Sequence, residues 1–361
     1  MLKRLVIWGV IFALGLGMTG CSLSSSVRIT QLEATAAPPI PTATPASAVT
    51  GPTTTPAPSS PTATPESVTP ATATAPSIAT GKVVGLWNVP VGDLEAVRSY
   101  GVNTVFFSTS DPQEMVDYLQ TAERLGLRVI ANLVEHKDMV DQECLAALPS
   151  SDRGASQKCH FDLEAFRATL EHYQEAGLGR FANTSLYAHL LMDEPFDDSN
   201  WGGRRLTNEE IQKASQVSKE LLGENILTSI NAGTVPANFP AGMVDLVTST
   251  YYQNKETSFG TVDDYLAFQL KNLASARAAQ PTLHYILLLP SFGGGQRNVE
   301  FPSPEAMLEK AVAACQNPQV DGVIWWTWKT RQWTDFSTVV GGPDGPAYIE
   351  MLGQVTESCG K

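Results

Sequence analysis

Residues 185–198 read SLYAHLLMDEPFDD, an apolar run through Leu190, Leu191 and Met192 that stops at Asp193 and Glu194, with Pro195 behind them. Two neighbouring carboxyl groups at the tip of such a run suit general acid–base work. In part-apolar surroundings a carboxyl group holds its proton to higher pH and can deliver it to a leaving oxygen. The plain alternative is a helix start, because acids followed by proline complement the positive end of a helix. Against that, Phe196 to Gly203 lacks helical periodicity.

The elements that must carry these acids come from a rhythm of short apolar, β-branched or aromatic runs alternating with helical patterns. The runs are KVVGLWN (82–88), VNTVFFS (102–108), LRVIANLV (127–134), LYAHLLMDE (186–194), NILTSIN (225–231), VDLVTSTYY (244–252), LHYILLLP (283–290) and DGVIWWTW (321–328). Between them, DLEAVRSYG opens with Asp93 at a cap position and closes at Gly101, and DPQEMVDYLQTAERLGL has Pro112 in its first turn. TNEEIQKASQVSKELLG spaces Thr207 and Glu210 as a capping box. Eight such runs in about 280 residues imply an α/β fold, a single closed (β/α)8 TIM barrel over 81–361. A doubly wound open sheet is the alternative, but the first strand has no GxGxxG turn to support nucleotide binding.

In a barrel of this kind the strands' C-terminal ends surround the active site. Strand one delivers Trp87 and Asn88; strand two, Ser108 and Thr109; strand three, Asn132, Glu135 and His136. Strand four brings Asp193 and Glu194, strand five Asn231, and strand six Tyr251, Tyr252 and Gln253. Strand seven ends in LPSFGGGQR, and strand eight in Trp326, Thr327 and Trp328, followed by Lys329 and Arg331. Aromatic planes mixed with amides and carboxyls suit carbohydrate, whose C–H faces stack on rings while polar groups read the hydroxyls. A tryptophan at a strand end can equally be packing, Glu135 and His136 can be a solvated loop start, and the FGGGQR turn is a weak anion signal without a following helix. The five histidines show no HExxH spacing and no GxSxG is present. Neither a catalytic metal nor a serine nucleophile has a candidate, and no cofactor is expected.

The chain from about 82 to 361 resembles the (β/α)8 glycoside hydrolase superfamily, especially the clan whose strand four ends in Asn-Glu-Pro. Here that motif reads Asp193-Glu194-Pro195. The resemblance implies Glu194 as general acid/base and Asp193 as a sugar contact, and the tyrosines after strand six and a tryptophan at strand eight match the general look of such sites. The strand ends themselves supply Trp87, Asn88, Asn132, Glu135, Asn231, Tyr251, Tyr252, Gln253, Trp326 and Trp328 as binding candidates. The sequence departs from the pattern at strand seven, where a retaining enzyme needs a second carboxylate about 5 Å across the bond. ILLLPSFGGG carries none before Glu300. An inverting arrangement remains, with a base drawn from Glu135, Asp193, Asp197 or Asp198, and so does a non-catalytic carbohydrate-binding barrel.

The N-terminal eighty residues are not part of the barrel. Lys3 and Arg4 precede a short apolar run from Leu5 to Gly17, and MTGC before and including Cys21 resembles a bacterial lipobox with Met18 in place of leucine. We expect a signal peptide over 1–20, lipidation of Cys21, and export to the outer face of a bacterial membrane. Within the 21–80 stretch, residues 43–77 are almost wholly Ala, Thr, Pro and Ser. That composition cannot offset its ordering entropy, so a disordered tether able to reach on the order of 150 Å is expected. A net charge of −13 with no basic patch argues against nucleic-acid partners, and a monomer is expected. Cys144, Cys159, Cys315 and Cys359 form an even set for an oxidising compartment. Of the three pairings, Cys144–Cys159 and Cys315–Cys359 are favoured: the first closes a polar loop, the second pins the C-terminal tail.

Overall fold

The computed structural model describes residues 81–360 apart from 150, 151, 153, 295–298, 331 and 332, and apart from the side chains of 253 and 254. The expected signal peptide, Cys21 and the 21–80 tether lie outside the described residues. So do Gln296, Arg297, Arg331 and the Gln253 side chain.

All eight runs become strands of one closed parallel barrel, joined in sequence order. These are β1 (Val83–Trp87), β2 (Thr104–Ser108), β3 (Arg128–Asn132), β4 (Leu186–Asp193), β5 (Leu227–Asn231), β6 (Leu246–Thr250), β7 (His284–Pro290) and β8 (Gly322–Trp326). Helices α1 (Leu94–Ser99), α2 (Pro112–Arg124), α3 (Gln142–Ala147), α4 (Leu163–Glu175) and α5 (Asn208–Leu222) surround the first half. Around the second half run α6 (Gln253–Phe259), α7 (Val262–Ala279), α8 (Pro304–Gln316), α9 (Phe336–Val340) and α10 (Gly345–Cys359). Asp111 caps α2 through Gln113 and Glu114, and Thr207 with Glu210 forms the expected box on α5. The α/β barrel is therefore the fold, with one gap: no helix lies between β5 and β6.

Strand alternation sorts the apolar residues into two cores. Val83, Phe106, Ile130, Ala188, Leu190, Leu246, Ile286, Leu288 and Ile324 fill the barrel interior. The other faces, including Leu86, Val105, Val129, Leu191, Val247 and Leu287, pack against the helices. Both favoured disulfides are present. The second joins α8 to the last turn of α10, so the expected tail is itself a helix.

Three expectations need correction. Asp93 does not cap α1; its Oδ2 accepts the Trp328 indole N–H at 2.8 Å. Trp328 is consequently buried, packed on Phe336, and is no platform at the mouth. Tyr251 is also buried, with its hydroxyl donating to the Gly260 carbonyl at 3.1 Å, because alternation turns it to the outer core against Tyr265.

Closure of the barrel depends on Gly322. It sits at φ +146°, and a Cβ there would lie 2.1 Å from the Val83 carbonyl oxygen. Gly322→Ala should therefore lower unfolding stability by about 3 kcal/mol or more, since strain and backbone overlap each cost about 1–3 kcal/mol. A urea melt within 1 kcal/mol of the parent, by the same approximate scale, would contradict this reading of the seam.

Candidate active site

The route that brings Asp193 to the mouth starts with a register shift in β4. Pairing with β5 jumps between Leu190 and Met192. Leu190 packs inside the barrel, whereas Leu191 and Met192 both belong to the outer core. A bulge of this kind resets alternation by one residue. Asp193 then turns to the interior face, opposite Asn231, with which it is paired in register.

Asn231 is buried and bonded through both side-chain atoms. Its Nδ2 donates to Asp193 Oδ1 at 2.7 Å, and its Oδ1 accepts from Thr248 Oγ1 at 3.2 Å and Gly233 N–H at 3.3 Å. It therefore orients Asp193. Solvent reaches Asp193 through the open mouth, but protein encloses its other sides. That enclosure raises its pKa, partly opposed by the Asn231 hydrogen bond.

Glu194 breaks from the strand in a left-handed conformation, φ +48°. Its N–H donates to the Asn231 carbonyl at 2.7 Å, and its own carbonyl accepts from Asp197 N–H at 3.0 Å and Trp201 Nε1–H at 3.2 Å. These bonds fix a turn, and no α-helix follows Pro195, so the helix-start alternative falls. The Glu194 carboxyl has its pKa raised by burial first, then by the neighbouring charges of Asp193 and Asp197; Asn200 and the Lys255 ammonium pull it back.

Against this carboxyl lies Gly233 at φ +60°, where an added Cβ would come within 2.9 Å of Glu194 Oε1. The Gly233 carbonyl is held by Thr250 N–H at 2.9 Å and by the Tyr265 hydroxyl at 3.0 Å. Residues 232–237, which replace a helix after β5, and Glu194, Asp197, Asp198, Tyr252 and Lys255 line a cavity of about 660 Å³. Tyr252 sits beside both acids, and burial followed by their charges pushes its hydroxyl far up.

The other expected residues divide. Trp87 faces the barrel interior, stacked on Phe106 with ring centroids 3.4 Å apart. Asn88 follows it at φ +58°, and Asn132 closes β3 part-exposed. Glu135 pairs with Lys137 at 3.0 Å and does not line the cavity, in keeping with the solvated-loop alternative. Its neighbour His136 contacts the Asn200 carbonyl at 2.7 Å, and burial lowers its pKa. Trp326 joins an aromatic cluster with Tyr252, Phe292 and Trp333, its centroid 5.0 Å from Phe292 and 5.1 Å from Trp333. Phe292 and Trp333 were not expected. A two-residue ribbon, Phe292–Gly293 against Thr334–Asp335, brings them together, and only the aromatic content of the loops hints at it. β7 ends in Pro290 followed by buried Ser291, so register does not supply the missing acid. Among the described residues, no cluster of His, Cys, Asp or Glu is arranged to hold a metal ion.

No protein-family model matches the chain, and no curated protein matches it. Solved structures do. A family 5 xyloglucanase from Paenibacillus pabuli is 13% identical, covering 76% of this chain and 98% of that one at a TM-score of 0.49. A GH5_18 protein from Bifidobacterium longum subsp. infantis is 16% identical over 73% and 72%, at 0.48. Endo-glycoceramidase II from Rhodococcus sp. is 14% identical over 70% and 74%, at 0.45. These are likenesses of architecture, and the barrel itself rests on the strand pairing above.

The raised Glu194 pKa carries a stability consequence. Its folded value lies above the ordinary 4.5, so between the two values the native state binds more protons than the unfolded chain. Stability contributed here is present at low pH and falls as pH rises through that window. Glu194→Gln should raise the urea midpoint at pH 7, and the gain should vanish below about pH 4. An unchanged or lower midpoint at pH 7 would contradict the assignment.

Proposed function

We propose that the barrel is a glycoside hydrolase acting on an extracellular oligo- or polysaccharide, held to the outer face of a bacterial membrane through lipid on Cys21 and the 21–80 tether. The observation that carries the reading is the pair Asp193–Glu194. Both carboxyls stand at the C-terminal end of β4 with raised pKa values, beside Tyr252 and an aromatic cluster. Glu194 gives its proton to the glycosidic oxygen as the C–O bond breaks. Water adds to the anomeric carbon and passes its proton to a base, for which Asp193 is the candidate, with its proton affinity tuned by Asn231. Trp87 and Trp326 offer ring faces to the sugar. With no acid at the end of β7, direct attack by water is favoured over a covalent glycosyl-enzyme.

A specific observation also favours a second reading. The same missing acid fits a barrel that binds carbohydrate without cutting it. Incubation with a glycan panel separates the two, by reading both binding and the appearance of new reducing ends.

Glu194→Gln should cut the rate of reducing-end release by about 10²–10⁴-fold, the usual worth of a positioned acid. Full activity in that variant would remove Glu194 from the mechanism. Gly233→Ala, which crowds Glu194 Oε1 while leaving both acids in the sequence, should cost about 10²-fold in kcat. A parent-like kcat there would show that the glycine does not set the carboxyl's position.

A further inference from the structure

The cavity beside Glu194 also carries positive charge. Lys255 on α6 is half-buried, donates from Nζ to Thr234 Oγ1 at 2.8 Å, and has no ion-pair partner among the described residues. Arg205 lines the same cavity, exposed, and likewise has none. This matters in a chain with 37 acidic and 24 basic side chains. Several other cations on the barrel do pair with carboxylates: Arg167 with Glu220, Lys219 with Asp245, Lys310 with Glu256, and Arg204, next to Arg205, with Glu210. Three carboxyls, Glu194, Asp197 and Asp198, line the same cavity, and Lys255 acts on Glu194 through space, but none of the three forms an ion pair with either cation. Asp197 is committed to its turn, accepting from Ser199 N–H at 3.0 Å and from the Ser199 hydroxyl at 2.8 Å, and Asp198 lies exposed beside it.

A part-buried ammonium with donors to spare and a guanidinium lining the same cavity can together receive a carboxylate or sulfate. We infer that this cavity takes a glycan bearing an anionic group, a uronate carboxylate or a sulfate ester, with that group seated on Lys255 and Arg205. The inference rests on the carbohydrate reading above and adds the substrate class. It also joins recognition to chemistry, because a bound anion offsets the pull of Lys255 on Glu194 and helps the acid keep its proton until transfer.

The test is calorimetric titration of the full chain carrying Glu194→Gln with tetragalacturonate, a chondroitin sulfate tetrasaccharide, neutral cellotetraose and xylotetraose, and a glutamate tetrapeptide. At least one acidic glycan should bind about tenfold or more tighter than either neutral one, with the advantage falling as salt is raised. Lys255→Met and Arg205→Met should each remove most of that advantage while melting like the parent, and Lys255→Arg should keep it. Whether the uronate or the sulfate ester wins identifies the anion. Equal binding of neutral and acidic glycans overturns the inference and leaves the carbohydrate reading standing. A preference unaffected by both methionine variants overturns it as well. A tetrapeptide bound as tightly as the best glycan overturns the carbohydrate reading with it. No binding by any probe does the same.

Discussion

In a closed parallel barrel each strand hands its residues alternately to the interior and to the helices, so the extra residue that β4 accommodates between Leu190 and Met192 redirects everything after it. Without that shift, Met192 would point inward and Asp193 would press into the helix layer, where an unpaired carboxylate is costly. With it, Leu191 and Met192 both pack outside and Asp193 meets the Asn231 amide. The same paired register lets the Asn231 carbonyl take the Glu194 N–H, so one residue of β5 positions both acids. Glu194 can leave the strand in a left-handed conformation because three hydrogen bonds from neighbouring groups and to its own backbone hold it there.

Much of this was legible from residue types alone. Long β-branched and aromatic runs separated by capped helices specify a barrel almost without ambiguity, and every run formed a strand. What failed did so at the strand ends, where alternation stops being a guide. Tyr251 and Tyr252 are neighbours in sequence, yet one is core and the other stands beside the acids. Asp93 looked like a helix cap because spacing says nothing of a tryptophan 235 positions away that needs an acceptor. Trp333 and Gly233 lie in loops, Phe292 in a two-residue ribbon and Lys255 on the short α6, all with partners set by tertiary contact, so no local pattern could nominate them.

Electrostatically the mouth concentrates strain of one kind. Burial of Glu194 and the neighbouring charges of Asp193 and Asp197 make its ionisation harder, and the Asn200 hydrogen bond and Lys255 are the counterweights. Such an arrangement lowers fold stability at neutral pH and persists where a reaction needs a proton held ready. The connection after β5 contributes by leaving out a helix. Its tight backbone, pinned at Gly233, forms the wall that keeps the carboxyl in place and the cavity open beside it.

The chain's entry into the barrel is also unusually well fastened. Lys82 Nζ donates to the carbonyls of Cys315 and Asn317, both at 2.7 Å, at the end of α8, while Arg128 reaches the carbonyls of Gly81 and Lys82 at 3.2 and 3.3 Å. The Cys315–Cys359 bridge ties that same helix end to α10, and Thr356 of α10 holds the Gly101 carbonyl at 3.1 Å. A mechanical pull arriving through residue 81 would thus meet β1 lengthwise, flanked by β2 and β8 in parallel register. Force in that direction loads many backbone hydrogen bonds at once in shear instead of peeling them one after another. Under a pull applied at residue 81 the barrel would therefore resist unravelling at the very point where the load enters.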